Sequence, residues 1–148
     1  MMDHYNEELF LTIKYQIIFI SMTCFWRGLI KQLTVDDFTR AFKIKHKPDY
    51  KEFVKLLIQS NTKLINVKHN GTALSEKQIN EALEHIDSIN IKKIGKGYFC
   101  STCDPVIMLV AQLFTLSINH DYNGSVIKYT IDGAVRELNL RSNKTHMF

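Results

Sequence analysis

The chain lacks a disulfide framework, a membrane-length apolar run and a pronounced excess of charge of either sign. Three cysteines are an odd number, which argues against a closed set of disulfides and for a reducing, cytoplasmic setting. The apolar run from Ile17 to Trp26 is too short for a bilayer, which needs about 20 residues. The start of the chain, Met1 to Glu8, is acidic where a secretory leader would be basic. Lys and Arg number 19 against 15 Asp and Glu, a net charge of +4 from scattered residues. Such an excess makes a weakly basic surface and gives little support for a nucleic-acid groove. No repeat, linker or low-complexity tract divides the sequence, so residues 1–148 read as a single domain, large enough to bury a core. The end, Lys144 to Phe148, carries no polar tail, which reads as a piece of a longer polypeptide.

What is present has a clear local grammar. Asp3 to Ile13 has helical character. Tyr15 to Thr23 reads as a buried strand, and Cys24 opens the helix after it. Thr34-Val-Asp-Asp37 has the form of a capping box, in which a hydroxyl and an acid three residues on satisfy each other's backbone N–H groups. Lys43 to Pro48 is a basic connector, and Phe53, Val54, Leu57 and Ile58 mark a helix after Asp49. Asn70-Gly71 punctuates the stretch before a second capping box, Ser75-Glu-Lys-Gln78, whose helix carries Ile79, Leu83 and Ile86. Asp104-Pro105 predicts a helix start, with Asp as N-cap and Pro at the first position. The helix it opens, Val106 to Phe114, is apolar nearly all round and reads as the centre of the core.

The last third changes period. Ser117–Tyr122, Val126–Ile131 and Val135–Leu140 are strand-like, joined at Asn123-Gly124 and Asp132-Gly133, both two-residue hairpin signals. Helices followed by a β-meander predict an α+β fold, with helices packed on a small antiparallel sheet.

Cys24 is the first candidate for chemistry. A thiol in the opening turn of a helix meets unsatisfied backbone N–H groups and the positive end of the helix dipole, which favour the nucleophilic thiolate. A cysteine hydrolase also needs an imidazole and donors for the oxyanion. Of the six histidines, His146 is preferred, because it follows the last strand after a short loop. His120, beside Asp121 on the first meander strand, is the alternative base. Backbone amides around Ser21 to Cys24 are the oxyanion-hole candidates. A buried core role for Cys24 and a plain surface role for His146 are the competing structural readings.

Three segments carry a family resemblance. Thr23-Cys24-Phe25-Trp26-Arg27-Gly28-Leu29 resembles the nucleophile motif of the ovarian tumour (OTU) cysteine proteases. Gly97-Tyr98-Phe99, with Asp104 to Ile118, is similar to that family's glycine-containing turn, apolar helix and following strand. Glu137 to His146 is similar to its closing strand and catalytic histidine. The segments come in the family order and span nearly the whole chain, and their divergence looks viral. The resemblance implies a papain-like, OTU-like fold and hydrolysis of an isopeptide or peptide bond after the C-terminal glycine of ubiquitin or a ubiquitin-like modifier. Cleavage of a viral polyprotein is a further implied activity. Cys24 would be nucleophile, His146 general base and acid, and the amides of Ser21 and Cys24 the oxyanion hole. No cofactor or membrane is implied, and the expected state is a cytoplasmic monomer.

The chain departs from the family pattern in two places. Ser21-Met22-Thr23 stands where Asp-Gly-Asn is usual, so the oxyanion turn lacks the glycine that accepts positive φ freely. Phe148 stands where an orienting Asn or Asp is usual. The third member therefore comes from elsewhere, the pair works as a dyad, or the site is degenerate. A non-catalytic interaction module with the same fold is accordingly one rival, and a small basic RNA-binding accessory domain using lysines 43 to 55 is another. Cys100-Ser-Thr-Cys103 has zinc-ligand spacing, but no second such pair exists, and the expected packing is structural with no metal. Phe25-Trp26 reads as packing behind the nucleophile. The acid pairs Asp36-Asp37 and Glu7-Glu8 read as helix N-terminal charges.

Overall fold

The computed structural model describes residues 24–96, 98 and 104–142. The helix expected over Asp3–Ile13, the strand over Tyr15–Thr23, and Ser21, Cys100, Cys103, His146 and Phe148 all lie outside the described residues. Helix α1 is described over residues 24–32. It is followed by α2 (Val35–Phe42), α3 (Tyr50–Gln59), strands β1 (Val67–His69) and β2 (Thr72–Ala73), and α4 (Glu76–Asp87). A 3₁₀ turn over Ile91–Lys96, helix α5 (Pro105–Phe114) and strands β3 (Leu116–Tyr122), β4 (Ser125–Ile131) and β5 (Arg136–Ser142) complete the order. The protein is thus α+β, and no described helix is long and apolar enough to cross a membrane.

The helix starts follow from their caps. Thr34 and Ser75 both close capping boxes, with Asp37 and Gln78 as their partners. Asp49 caps α3 by accepting from Glu52 N. Asp104 caps α5 by accepting from Val106 N at 2.9 Å and Ile107 N at 3.0 Å, with Pro105 at the first helical position. Each such cap stabilises its helix by about 1 kcal/mol.

Helix α5 is the hub of the core. Val106, Ile107, Leu109, Val110 and Phe114 are all fully buried between the sheet and the other helices. Phe38 and Phe42 of α2 meet Phe114 edge-to-face at 5.2 and 5.3 Å. Its polar residue Gln112 satisfies the 61–66 connection, donating to Lys63 O at 2.9 Å and accepting from Asn66 N at 3.2 Å. Helix α1 adds Phe25, Trp26, Leu29 and Leu33 to the same core, and Arg27 lies over the Tyr50 ring of α3 at 5.6 Å.

The sheet differs from the expected meander. Its order is β2-β1-β4-β3-β5, and β5 runs parallel to β3 instead of antiparallel to β4. Asn123-Gly124 does form the tight hairpin, with positive φ at both residues (51° and 90°), as a type I′ turn demands. Asp132-Gly133 does not. Residues 132–135 instead pass across the start of β3, where Val135 N donates to Thr115 O at 2.9 Å, and deliver β5 to the far side of β3. An Asp-Gly pair supplies a turn, but pairing is decided by which strand offers a ladder and an apolar face. Leu138 and Leu140 of β5 join Ile118 of β3 in the core. A second hairpin lies at Asn70-Gly71, which the sequence marked only as punctuation: β1 and β2 flank it, and β1 extends the sheet beside β4. Asn70 Oδ1 accepts from Lys128 N at 2.8 Å, locking the small hairpin onto β4.

Candidate functional site

Cys24 is helical and half-buried in the first described turn of α1, where it packs on the core. The two residues after it are inserted deeply: Phe25 is 4% exposed and Trp26 1%. Phe25 stacks on Tyr98 with ring centroids 4.3 Å apart and an interplanar angle of 29°, and Trp26 lies 5.1 Å from the same ring. Packing behind Cys24 is therefore aromatic, as the sequence indicates. The contribution of Tyr98 to it had no local signal.

Tyr98 joins three elements. Its hydroxyl donates to Asp104 Oδ1 at 3.1 Å, and His85 Nε2 of α4 lies 3.1 Å from the same hydroxyl. With the phenolic proton on the carboxylate, the hydroxyl oxygen is left to accept, so His85 presents Nε2–H toward it. Asp104 is fully buried, and its backbone N–H donates to the Tyr129 hydroxyl at 3.2 Å. His85 is exposed as a residue, yet desolvation of its ring holds its pKa below the usual histidine value.

The other end of the molecule is fastened by charge. Asp37 is 1% exposed and lies among Thr34, Arg40 and Arg136. Arg136 Nη2 donates both to Asp37 Oδ2 and to Gln32 O (3.0 Å), so the start of β5 holds the end of α1. Arg40 donates to Asp37 Oδ1 at 3.0 Å and to Phe114 O, the end of α5, at 2.7 Å. Burial pushes the Asp37 carboxyl up. The hydrogen bonds from Arg136, the Thr34 backbone, Arg40 and the Thr34 hydroxyl outweigh it and bring the pKa down to about 2. Asp37 thus does more than complement a helix dipole. It ties two helix ends to the sheet.

These anchors fix directions. The ends of α1 and α5 lie beside the start of β5, and α5 turns at Thr115 directly back into β3. Tyr98 joins Phe25 of α1 to the start of α5. Between that joint and the anchored end, residues 24–32 of α1 and α5 run side by side over roughly 13–15 Å. Strand β3, and β5 parallel to it, run away from that anchored end. Ser142, at the end of β5, is the last residue described.

His120 lies on the core-facing side of β3. It is fully buried, with Nε2 2.6 Å from Ser142 Oγ and its ring 5.8 Å from that of Tyr122. Burial lowers its pKa, Asp121 partly offsets this, and the balance stands at about 4. An imidazole held that low is neutral at pH 7 and a weak proton acceptor.

The remaining candidates are surface features. Lys51 and Lys55 lie on the exposed side of α3, opposite buried Phe53, Val54 and Leu57, and His46 approaches Glu52 at 3.9 Å. A cavity of about 650 Å³ opens on the outward face of the sheet, lined by Gln32, Asn119, Asp121, Lys128, Glu137 and Arg141 among others. Its lining includes neither Cys24 nor His120. Among the described residues no cluster of three His, Cys, Asp or Glu could hold a metal ion. Comparison with known proteins found no matching family model, no matching curated protein and no matching solved structure.

Proposed function

We propose that the chain is a thiol-dependent hydrolase of the OTU kind. In this reading it cleaves the peptide or isopeptide bond after the C-terminal glycine of ubiquitin or a ubiquitin-like modifier. The observation that carries the reading is Cys24 on α1, half-buried and followed directly by Phe25 and Trp26, which pack with Tyr98 into an aromatic base. The thiolate adds to the carbonyl carbon of that glycine, the amine leaves with a proton supplied by an imidazole, and water then hydrolyses the glycyl thioester. His146 is the imidazole in this reading, with backbone amides at Ser21 and Cys24 stabilising the oxyanion. His120 is the weaker choice of base, since burial makes it a poor proton acceptor and its Nε2 is engaged by Ser142.

Labelling with ubiquitin bearing a C-terminal electrophile tests the reading. The wild-type chain is expected to form a stoichiometric adduct that Cys24→Ala abolishes. His146→Ala is expected to slow the adduct at neutral pH by roughly 10²–10⁴-fold, the range for a lost general base. A folded wild-type sample that stays unlabelled by ubiquitin and by related modifiers would sink the hydrolase reading. It would leave a non-catalytic module, which the Met22 and Phe148 departures favour.

A further inference from the structure

We infer that Tyr98 is a positioning residue for Cys24, an assignment that rests on the hydrolase reading of that thiol. Three observations meet in this one side chain. Its ring is stacked on Phe25, the immediate neighbour of Cys24, at 4.3 Å, and lies 5.1 Å from Trp26. Its hydroxyl is held by the fully buried carboxylate of Asp104, which also caps α5. The imidazole of His85 closes the arrangement from α4, 3.1 Å from the same oxygen and with its ring 5.7 Å from that of Tyr98.

The physical consequence follows from the geometry. An aromatic stack at residues 24–26 contributes about 0.5–1.5 kcal/mol beyond area burial, enough to favour one placement of this stretch of α1. The stack restrains α1 only if Tyr98 is itself restrained, and its two polar contacts supply that restraint from α4 and α5. Tyr98 does not touch a reacting atom in this account. It acts through Phe25, so that α4, α5 and residues 24–26 of α1 hold one geometry at Cys24.

The test uses the full chain with Cys100→Ser and Cys103→Ser, which leaves Cys24 as the sole thiol. Two rates are measured: alkylation by iodoacetamide, and labelling by the ubiquitin electrophile. Tyr98→Phe keeps the ring and removes the hydroxyl bonds, and it is expected to slow ubiquitin labelling about tenfold. Tyr98→Leu, which also removes the stack, is expected to slow it further, toward the hundredfold that a misplaced group costs. His85→Ala should follow Tyr98→Phe. His85→Gln, whose amide N–H can still reach the hydroxyl, should restore the rate, a recovery that a purely structural role would not produce.

Wild-type labelling rates in folded Tyr98→Phe and His85→Ala would overturn the assignment while leaving the hydrolase reading intact. If ubiquitin fails to label even the wild type, the hydrolase reading falls, and the iodoacetamide rates alone decide the matter. Unchanged alkylation across all four variants then overturns the link between Tyr98 and Cys24. Should Tyr98→Leu fail to fold, Tyr98→Phe and the His85 pair carry the same decision.

Discussion

Buried ionisable side chains give this molecule its sharpest residue-scale behaviour, and His120 is the clearest case. Its folded pKa of about 4 lies below the ordinary histidine value of 6.5. Between those two values the unfolded chain binds a proton that the folded chain refuses, so stability rises with pH across that window. The contribution is fully present above about pH 6.5 and is lost as pH falls toward 4, on the order of 3 kcal/mol in all. Thermal melts from pH 8 to pH 4.5 should show this loss. His120→Gln, which keeps a donor for Ser142, should flatten the curve by that amount, whereas parallel curves would exclude His120 as the source. This role was hidden in the sequence. His-Asp beside a strand end suggested an oriented base, and nothing local revealed that the alternation of β3 turns His120 inward with Leu116 and Ile118. Asp37 hid its second role for a different reason: its capping partner is three residues away, but Arg136 is 99.

At the scale of elements, what was legible was whatever short-range chemistry decides. The capping boxes at Thr34 and Ser75 and the Asp104-Pro105 start were readable because donor and acceptor lie within one turn. The Asn123-Gly124 hairpin was readable because its backbone needs positive φ twice. The path of β5 was not, because Asp132-Gly133 carries the same local signal as a hairpin while the pairing is settled by β3. The β1–β2 hairpin was missed because its strands are only three and two residues long, too short for alternation to register. One element junction carries strain. Thr115 ends α5 in the left-handed region at φ 54°, a poor conformation for a β-branched residue, and α5 turns there directly into β3. Thr115→Asn, which tolerates that region better, should add up to about 1 kcal/mol of stability, or a rise of roughly 2–4 °C in Tm. A lower Tm would mean that the threonine side chain makes contacts that outweigh its backbone strain.

At the scale of the whole molecule, the buried apolar side chains of the described residues form one connected cluster from Phe25 in α1 to Leu140 in β5. That continuity predicts cooperative unfolding in a single step. The chain contains one tryptophan, Trp26, fully buried at the candidate site. Its fluorescence therefore reports on the helix that carries Cys24, while far-ultraviolet circular dichroism reports on all the secondary structure. The two denaturation curves should superimpose. A fluorescence midpoint at lower denaturant would instead show that α1 opens as a separate unit, and the aromatic base under Cys24 would not be rigid. At this scale the sequence was informative about class and much less so about assembly. It showed that a helical region precedes a strand-rich one and that α5 is central, but contacts that close the fold, such as Arg136 to Gln32, join residues 104 positions apart.

The clasp of Arg136 on Asp37 and Gln32 sets a timetable for the newborn chain. Asp37 leaves the ribosome close to Arg40 but 99 residues before Arg136, its second guanidinium partner. At about 5–20 residues per second, the carboxylate waits roughly 5–20 s for that second partner. Through that interval docking of α1 and α2 would bury the carboxylate with Arg40 and Thr34 as its partners and leave Gln32 O without its donor. A polypeptide that ends before Arg136 is therefore expected to hold α1 and α2 together less firmly than the full chain.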